Sequence, residues 1–229
     1  KSPSSLSSTP TKKASSDPQH YTTARDIAIL SRHIINDHPQ YYHYYGQKSY
    51  TYNKIKQDNR NRLLWRNASI DGLKTGHTKE AGYCLASSEK RGDIRFIAVV
   101  LGADKESDRY DASQALFNYG FAQFEEAVVL QAGQKLATAP VYKGKKNEVS
   151  VRPQHEVKLL LPVGERSKAV AALDLQNPLI APISEGQELG TIRIRIGDKV
   201  YATLPAVAAE PVEEAGFFKR MWHSIKLLF

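Results

Sequence analysis

Asp71-Gly72-Leu73-Lys74-Thr75-Gly76-His77-Thr78 sets an apolar residue directly before a cation, a hydroxyl and a glycine. A three-residue match to Lys-Thr-Gly arises by chance in many chains, so its setting decides its weight. Here the triplet follows an apolar residue at an expected strand and precedes the strand-like run that starts at Ala81. On a strand each of the three residues has a chemical use. Lys74 brings a fixed positive charge and Thr75 a hydroxyl donor for a ligand carboxylate, while Gly76 leaves room for a ligand against the strand edge.

Downstream, Tyr83, Leu85 and Ala86, and then Ile94 through Leu101, form two strand-like runs separated by the polar turn 89–93. They predict an antiparallel hairpin. A helix is expected from about Ser107 to Phe124, with Ala112, Leu116, Tyr119 and Phe124 near helical spacing. Upstream, Thr22 or Thr23 can cap a helix whose Ile27, Leu30, Ile34 and Ile35 keep the helical period until Asp37 and Pro39. Tyr41, Tyr42, Tyr44, Tyr45, Tyr50 and Tyr52, beside Lys54, Lys56, Arg60 and Arg62, resemble in composition a stacking platform for bases or sugars. Alternation over residues 49–53 favours an ordinary half-buried strand, and nucleic acid is not an expected partner.

From Glu126 the pattern changes to short strands punctuated by Pro and Gly, expected at 128–131, 135–141, 148–151, 157–161, 170–175, 191–196 and 199–204. That spacing predicts a small all-β domain over 126–205. Residues 206–216 read as an Ala/Glu/Pro-rich linker. In 217–229, Phe217 precedes a helical stripe of Phe218, Met221, Trp222, Ile225, Leu228 and Phe229, and Lys219, Arg220, His223 and Lys226 fill much of the remainder. At ~1.5 Å per residue this helix is too short to span a bilayer, which predicts an anchor lying in the plane of an anionic membrane surface.

Composition bounds the rest. The 229 residues, 41% apolar and 24% charged, suit one large globular domain or two modest ones. A net charge of +8 fits an anionic membrane, an acidic polymer or nucleic acid, and its sign alone does not choose. Cys84 is the single cysteine, which excludes an intramolecular disulfide framework and a Cys-rich zinc site. Seven scattered histidines without a His-Glu-x-x-His pair predict no metal, and no phosphate-cradling glycine loop is present. Residues 1–16, with seven serines and no apolar stretch, read as a disordered or aberrant leader.

With Ala81-Gly82-Tyr83 and Ile97-Ala98-Val99-Val100-Leu101-Gly102 behind it, the opening stretch resembles the serine-type D-alanyl-D-alanine carboxypeptidases among the low-molecular-mass penicillin-binding proteins. The likeness takes in 17–26, 59–65 and 113–121 and extends over 17–229. It implies an α+β fold: the C-terminal part of a β-lactamase/transpeptidase-like domain over 17–125, an antiparallel sheet with helices, then the β domain and the amphipathic helix. It also implies an enzyme at the periplasmic face of the bacterial inner membrane that removes the terminal D-alanine from peptidoglycan pentapeptide stems through a serine acyl-enzyme, without cofactors, and that β-lactams acylate. Carried over residue by residue, Lys74, Thr75 and Gly76 bind substrate, the His77 backbone N–H joins the oxyanion hole, Arg109 reads the terminal carboxylate and Arg60 supports the cleft.

Such enzymes also need Ser-x-x-Lys and Ser-x-Asn ahead of Lys-Thr-Gly. Neither precedes it here, and the only Ser-x-x-Lys is Ser87-Ser88-Glu89-Lys90, at the expected hairpin turn. The chain alone is therefore expected to be inactive, whether as a fragment, a frame or splice error, or a true loss. The rival reading is a non-catalytic, membrane-tethered module that binds peptidoglycan or protein in the envelope.

Overall fold

The computed structural model describes residues 11–12 and 21–227. The rest of the leader and the anchor residues Leu228 and Phe229 lie outside the described residues. Two units divide the chain between Gln123 and Phe124.

The first unit opens with β1 (Thr11–Lys12), which pairs antiparallel with β2 (Tyr21–Thr22). Helix α1 (Ala24–Asp37) starts where the Thr23 hydroxyl accepts the Asp26 N–H at 3.1 Å, the cap anticipated from the sequence. The short helix α2 (Pro39–Tyr42) and a 3-10 turn, His43–Gly46, lead to the hairpin of β3 (Ser49–Tyr52) and β4 (Ile55–Asp58). Every residue of this hairpin is exposed, in contrast to the half-buried strand expected. Alternation buries a strand only where another layer covers one of its faces.

A one-turn helix α3 (Leu63–Arg66) precedes the central sheet of β5 (Ile70–Thr78), β6 (Gly82–Arg91) and β7 (Ile94–Ala103), antiparallel in the order β5-β6-β7. Helix α4 (Glu106–Gln123) follows. Its Tyr110 and Phe117 pack with Leu63, Leu64, Leu85 and Ala98, and Phe121 meets Phe96 edge-on. A second cluster joins Ile34 and Ile35 of α1 to Ile97, Tyr42 and Leu73. The sheet thus has helical cover tied to alternate residues of β7, Ile97 in one cluster and Phe96 and Ala98 in the other, as period-two strand geometry requires.

The second unit contains β8 (Phe124–Leu130), β9 (Ala137–Tyr142), β10 (Glu148–Pro153), β11 (Val157–Pro162), β12 (Val170–Leu175), β13 (Leu179–Ile180), β14 (Glu188–Ile196) and β15 (Lys199–Ala208). Six of these form one sheet, β12-β14-β15-β10-β9-β13, while β8 pairs with β11. Val149, Val151, Leu189, Ile192, Ile194, Ala206 and Ala208 make a closely packed core. Two boundaries differ from the sequence reading. The unit begins at Phe124 rather than 126, and residues 206–216 are not a linker. Strand β15 runs through Ala208, Val212 is buried, and isolated bridges join Ile183 to Val212 and Gly144 to Glu214. Alanines and valines of a segment rich in small residues fill the core as readily as they populate a flexible linker, and composition does not separate the two.

Helix α5 (Phe217–Lys226) ends the described chain. His223 Nδ1 accepts the Lys143 N–H at 2.7 Å and its ring sits edge-on to Tyr142; Lys219 Nζ donates to the Lys145 carbonyl at 3.1 Å and Arg220 pairs with Glu214 at 2.7 Å. Phe217, Phe218, Met221, Trp222 and Ile225 stay exposed. No described helix is long and apolar enough to cross a membrane.

Candidate active-site wall

Strand β5 carries Lys74-Thr75-Gly76 at the sheet's border, bonded on one side to β6 with Lys74 opposite Ala86, Thr75 opposite Leu85 and Gly76 opposite Cys84. No strand pairs with its other side among the described residues, which leaves alternate backbone donors and acceptors for an extended ligand.

Several buried groups hold this strand in place. Asn61, fully buried, donates from Nδ2 to the Gly72 carbonyl at 2.9 Å and accepts the Leu63 N–H at 3.2 Å. Asp71 accepts from the Tyr42 hydroxyl at 3.0 Å and pairs with Arg95 at 2.7 Å. Burial works against the Arg95 charge, yet the Asp71 hydrogen bond and charge outweigh it and the guanidinium holds its proton more tightly; burial also pushes the Tyr42 hydroxyl above its ordinary value. At the head of β5, buried Glu89 accepts from Asn67, Ser69 and Arg91 through one oxygen.

The motif residues meet different environments. Thr75 is buried and Lys74 exposed, with its Nζ on the Thr75 carbonyl at 2.5 Å. The His77 ring stacks on Tyr83 at 3.8 Å and 7°. Gly76 is informative by contrast with its neighbours. A Cβ built there would lie 3.8 Å from the Cys84 Cβ, ordinary contact, whereas one on Gly82 (φ +64°) would come 2.8 Å from the Ala103 carbonyl. The fold demands glycine at 82 and tolerates a side chain at 76.

Arg60, Thr75, Gly76, His77, Tyr83, Glu106 and Arg109 line one cleft of about 360 Å³. The site residues expected from the sequence, Lys74 aside, therefore converge on it. Lys74 lines an adjoining apolar cleft of about 400 Å³, with Ile27, Leu30, Ile34 and Leu101. Arg109 is almost entirely buried: Nη1 donates to the Gly76 carbonyl at 3.3 Å, Nη2 to Glu106 and to the Tyr110 hydroxyl at 2.7 Å each, and Nε has no partner. The Tyr110 hydroxyl reaches the Arg60 carbonyl at 2.7 Å and Glu106 at 2.9 Å, so its one proton has two acceptors. Its hydrogen bond first, then the charge and hydrogen bond of Arg109, hold the Glu106 carboxyl below its ordinary value against the opposing effect of burial; burial foremost pushes the Tyr110 hydroxyl up. Sequence reasoning missed Asn61, Arg95, Glu106 and Tyr110. Only the i, i+3 placement of Glu106 and Arg109 signalled any of them.

Ser87-Ser88-Glu89-Lys90 lies within β6 and not at a turn, since the strand runs to Arg91. Ser87 is fully buried without a partner for Oγ, and Lys90 is exposed. Three residues apart on a strand, they project to opposite faces, and that lysine cannot activate that serine. Among the described residues no three His, Cys, Asp or Glu side chains are grouped to hold a metal.

The border strand bearing Lys-Thr-Gly, with a buried arginine bonded to its glycine carbonyl, sits in an antiparallel sheet with helical cover, a mixed α+β architecture. The family model for D-alanyl-D-alanine carboxypeptidase matches residues 9–105, and that for the penicillin-binding protein 5 C-terminal domain matches 124–214. The first match begins inside the stretch read as a leader. The chain is 39% identical over 214 residues to the Escherichia coli D-alanyl-D-alanine carboxypeptidase DacC and 39% over 209 to the Haemophilus influenzae enzyme DacA, covering 93% and 90% of itself and 54% and 53% of those proteins. It therefore spans about half the length of these curated relatives. The solved penicillin-binding protein 5 of Haemophilus influenzae superimposes with a TM-score of 0.68 at 38% identity, over 86% of this chain and 58% of that one. The chain belongs to the D-alanyl-D-alanine carboxypeptidase family, with the α+β fold of the penicillin-binding proteins.

Proposed function

We propose that this chain supplies the carboxylate-binding wall of a D-alanyl-D-alanine carboxypeptidase that trims peptidoglycan pentapeptide stems and is blocked by β-lactams. The observation that carries this is the convergence of Thr75, Gly76, His77, Arg60 and Arg109 on one cleft beside the unpaired side of β5. A peptide laid along that side gains backbone hydrogen bonds, while Thr75 and Arg109 supply charge-assisted donors for its terminal carboxylate. The His77 N–H is the oxyanion donor in this reading. The names of the relatives, carboxypeptidases for D-alanyl-D-alanine and a penicillin-binding protein, support the substrate and the inhibitor.

Ser87 and Lys90 are not the nucleophile pair, so the chain by itself binds without acylating. Labelled penicillin followed on a denaturing gel is expected to leave no covalent band, and a band would overturn this part of the reading. Titration with N-acetyl-D-alanyl-D-alanine, followed by amide shifts, tests the wall: Thr75→Val is expected to weaken binding about tenfold. Equal binding by both forms counts against the cleft.

The second unit supports a tether at the periplasmic face of the inner membrane. Lys219, Arg220 and His223 engage the β domain, while Phe217, Phe218, Met221, Trp222 and Ile225 face away unburied, the division an in-plane helix needs. Phe218→Ser with Trp222→Ser is expected to abolish flotation with anionic vesicles. Undiminished flotation would remove the tether from the proposal.

A further inference from the structure

Glu106 is the one acid on the wall of the carboxylate cleft, where Arg60, His77 and Arg109 are its other titratable or cationic side chains besides Tyr83. Its position is unusual in one respect. The arginine it pairs with is 4% exposed, but Glu106 itself is 56% exposed, so a buried cation is capped by a solvated anion. The cation does not depend on that cap. Arg109 also donates to the Gly76 carbonyl at 3.3 Å and the Tyr110 hydroxyl at 2.7 Å, and Tyr110 keeps the Arg60 carbonyl at 2.7 Å as an acceptor if Glu106 moves away. Arg109 Nε has a further hydrogen with no partner. A second carboxylate arriving in the cleft therefore meets a guanidinium whose Nη2 is already taken by the chain's own carboxylate.

We propose that Glu106 is a specificity-determining residue of this cleft: an intramolecular competitor that a carboxylate-ended ligand must displace from Arg109. The proposal rests on the reading of the cleft as a carboxylate site. Glu106 takes one Nη2 hydrogen through a single oxygen and the Tyr110 hydroxyl takes the other, and two anions cannot share Nη2 without repelling each other. Water reaches the Glu106 side of the pair and screens it in part, so displacement is feasible and its cost is small but real. Glu106 thereby lowers affinity for anionic ends generally and leaves binding to ligands that add contacts along β5. Neutral ends, which have no claim on the guanidinium, are indifferent to it.

The experiment compares the full chain with its Glu106→Gln form, each titrated with N-acetyl-D-alanyl-D-alanine and with the same dipeptide carrying a C-terminal amide. The glutamine keeps size and removes charge, and the site is exposed, so the fold is expected to persist. Glu106→Gln is expected to bind the carboxylate dipeptide up to about twofold more tightly and the amide unchanged, the scale set by one ion pair whose carboxylate is screened by water. A residue that merely props Arg109 would instead lose affinity for the carboxylate, or shift both ligands alike, and either result overturns the proposal. Binding by the wild type with no carboxylate-specific gain sinks the proposal alone. Failure of both forms to bind either dipeptide sinks the cleft reading and the proposal together.

Discussion

The unit ending at Gln123 and the unit beginning at Phe124 handle burial in opposite ways. In the second, Val149, Val151, Ile192, Ile194 and Ala208 are fully buried in one cluster, and none of its side chains is a buried polar atom without a partner among the described residues. In the first, the buried apolar residues fall into two smaller clusters, an apolar cleft stays open beside β5, and Ser87 Oγ, Glu89 Oε2 and Arg109 Nε are all orphaned. Orphaned polar atoms destabilise, and of the three only Arg109 Nε belongs to a residue that lines the cleft. The second unit has the larger apolar core, and the first has the clefts and the unpartnered buried polar atoms.

The largest effect that would break this contrast lies in the cores. Ile192→Ala removes a fully buried side chain from a packed sheet and is expected to cost the second unit about 3 kcal/mol in denaturant unfolding. Leu30→Ala lines the open cleft of the first unit, is 55% exposed, and is expected to cost about 0.5 kcal/mol or less. Similar losses at the two positions would show the first unit to be as closely packed as the second.

Next in size is a test within the site-bearing unit. Gly82→Ala must hold a positive φ and press against the Ala103 carbonyl, for an expected loss of about 2 kcal/mol. Gly76→Ala meets only ordinary contact, so unfolding is expected to move by about 0.5 kcal/mol or less while affinity for N-acetyl-D-alanyl-D-alanine falls. If Gly76→Ala unfolds the chain as readily as Gly82→Ala, the glycine serves the fold and not a ligand.

How legible these differences were in the sequence follows from the reach of each signal. The α1 cap, the hairpin of β6 and β7, and α4 are local patterns of period and cap, and they were readable to within a few residues. The Lys-Thr-Gly strand was readable because its neighbours on the chain are its neighbours in the sheet. Residues 206–216 were misread because burial of Val212 depends on Ile183, far away in sequence. Arg95 and Asn61 were invisible for the same reason: their partners, Asp71 and Gly72, are 24 and 11 residues distant. Exposure of β3 and β4 was likewise a question of which layer covers a strand, and no alternation states that.

The smallest effect is the acid end of the Glu106–Arg109 pair, and its sign is determined by the direction of the shift. The folded chain holds Glu106 below its ordinary value through the Tyr110 hydrogen bond and the Arg109 charge, so the unfolded chain takes up that proton first as pH falls. The pair's contribution is therefore present above the unfolded value of about 4.5 and is lost as pH drops through the lower folded value. Because Glu106 is 56% exposed, water screens most of it, leaving about 0.3 kcal/mol. Unfolding of wild type and Glu106→Gln is expected to differ by that amount at pH 7 and to coincide near pH 3. A gap that persisted at pH 3 would mean that shape rather than charge ties Glu106 to Arg109, and the competition argued for the cleft would lose its electrostatic basis.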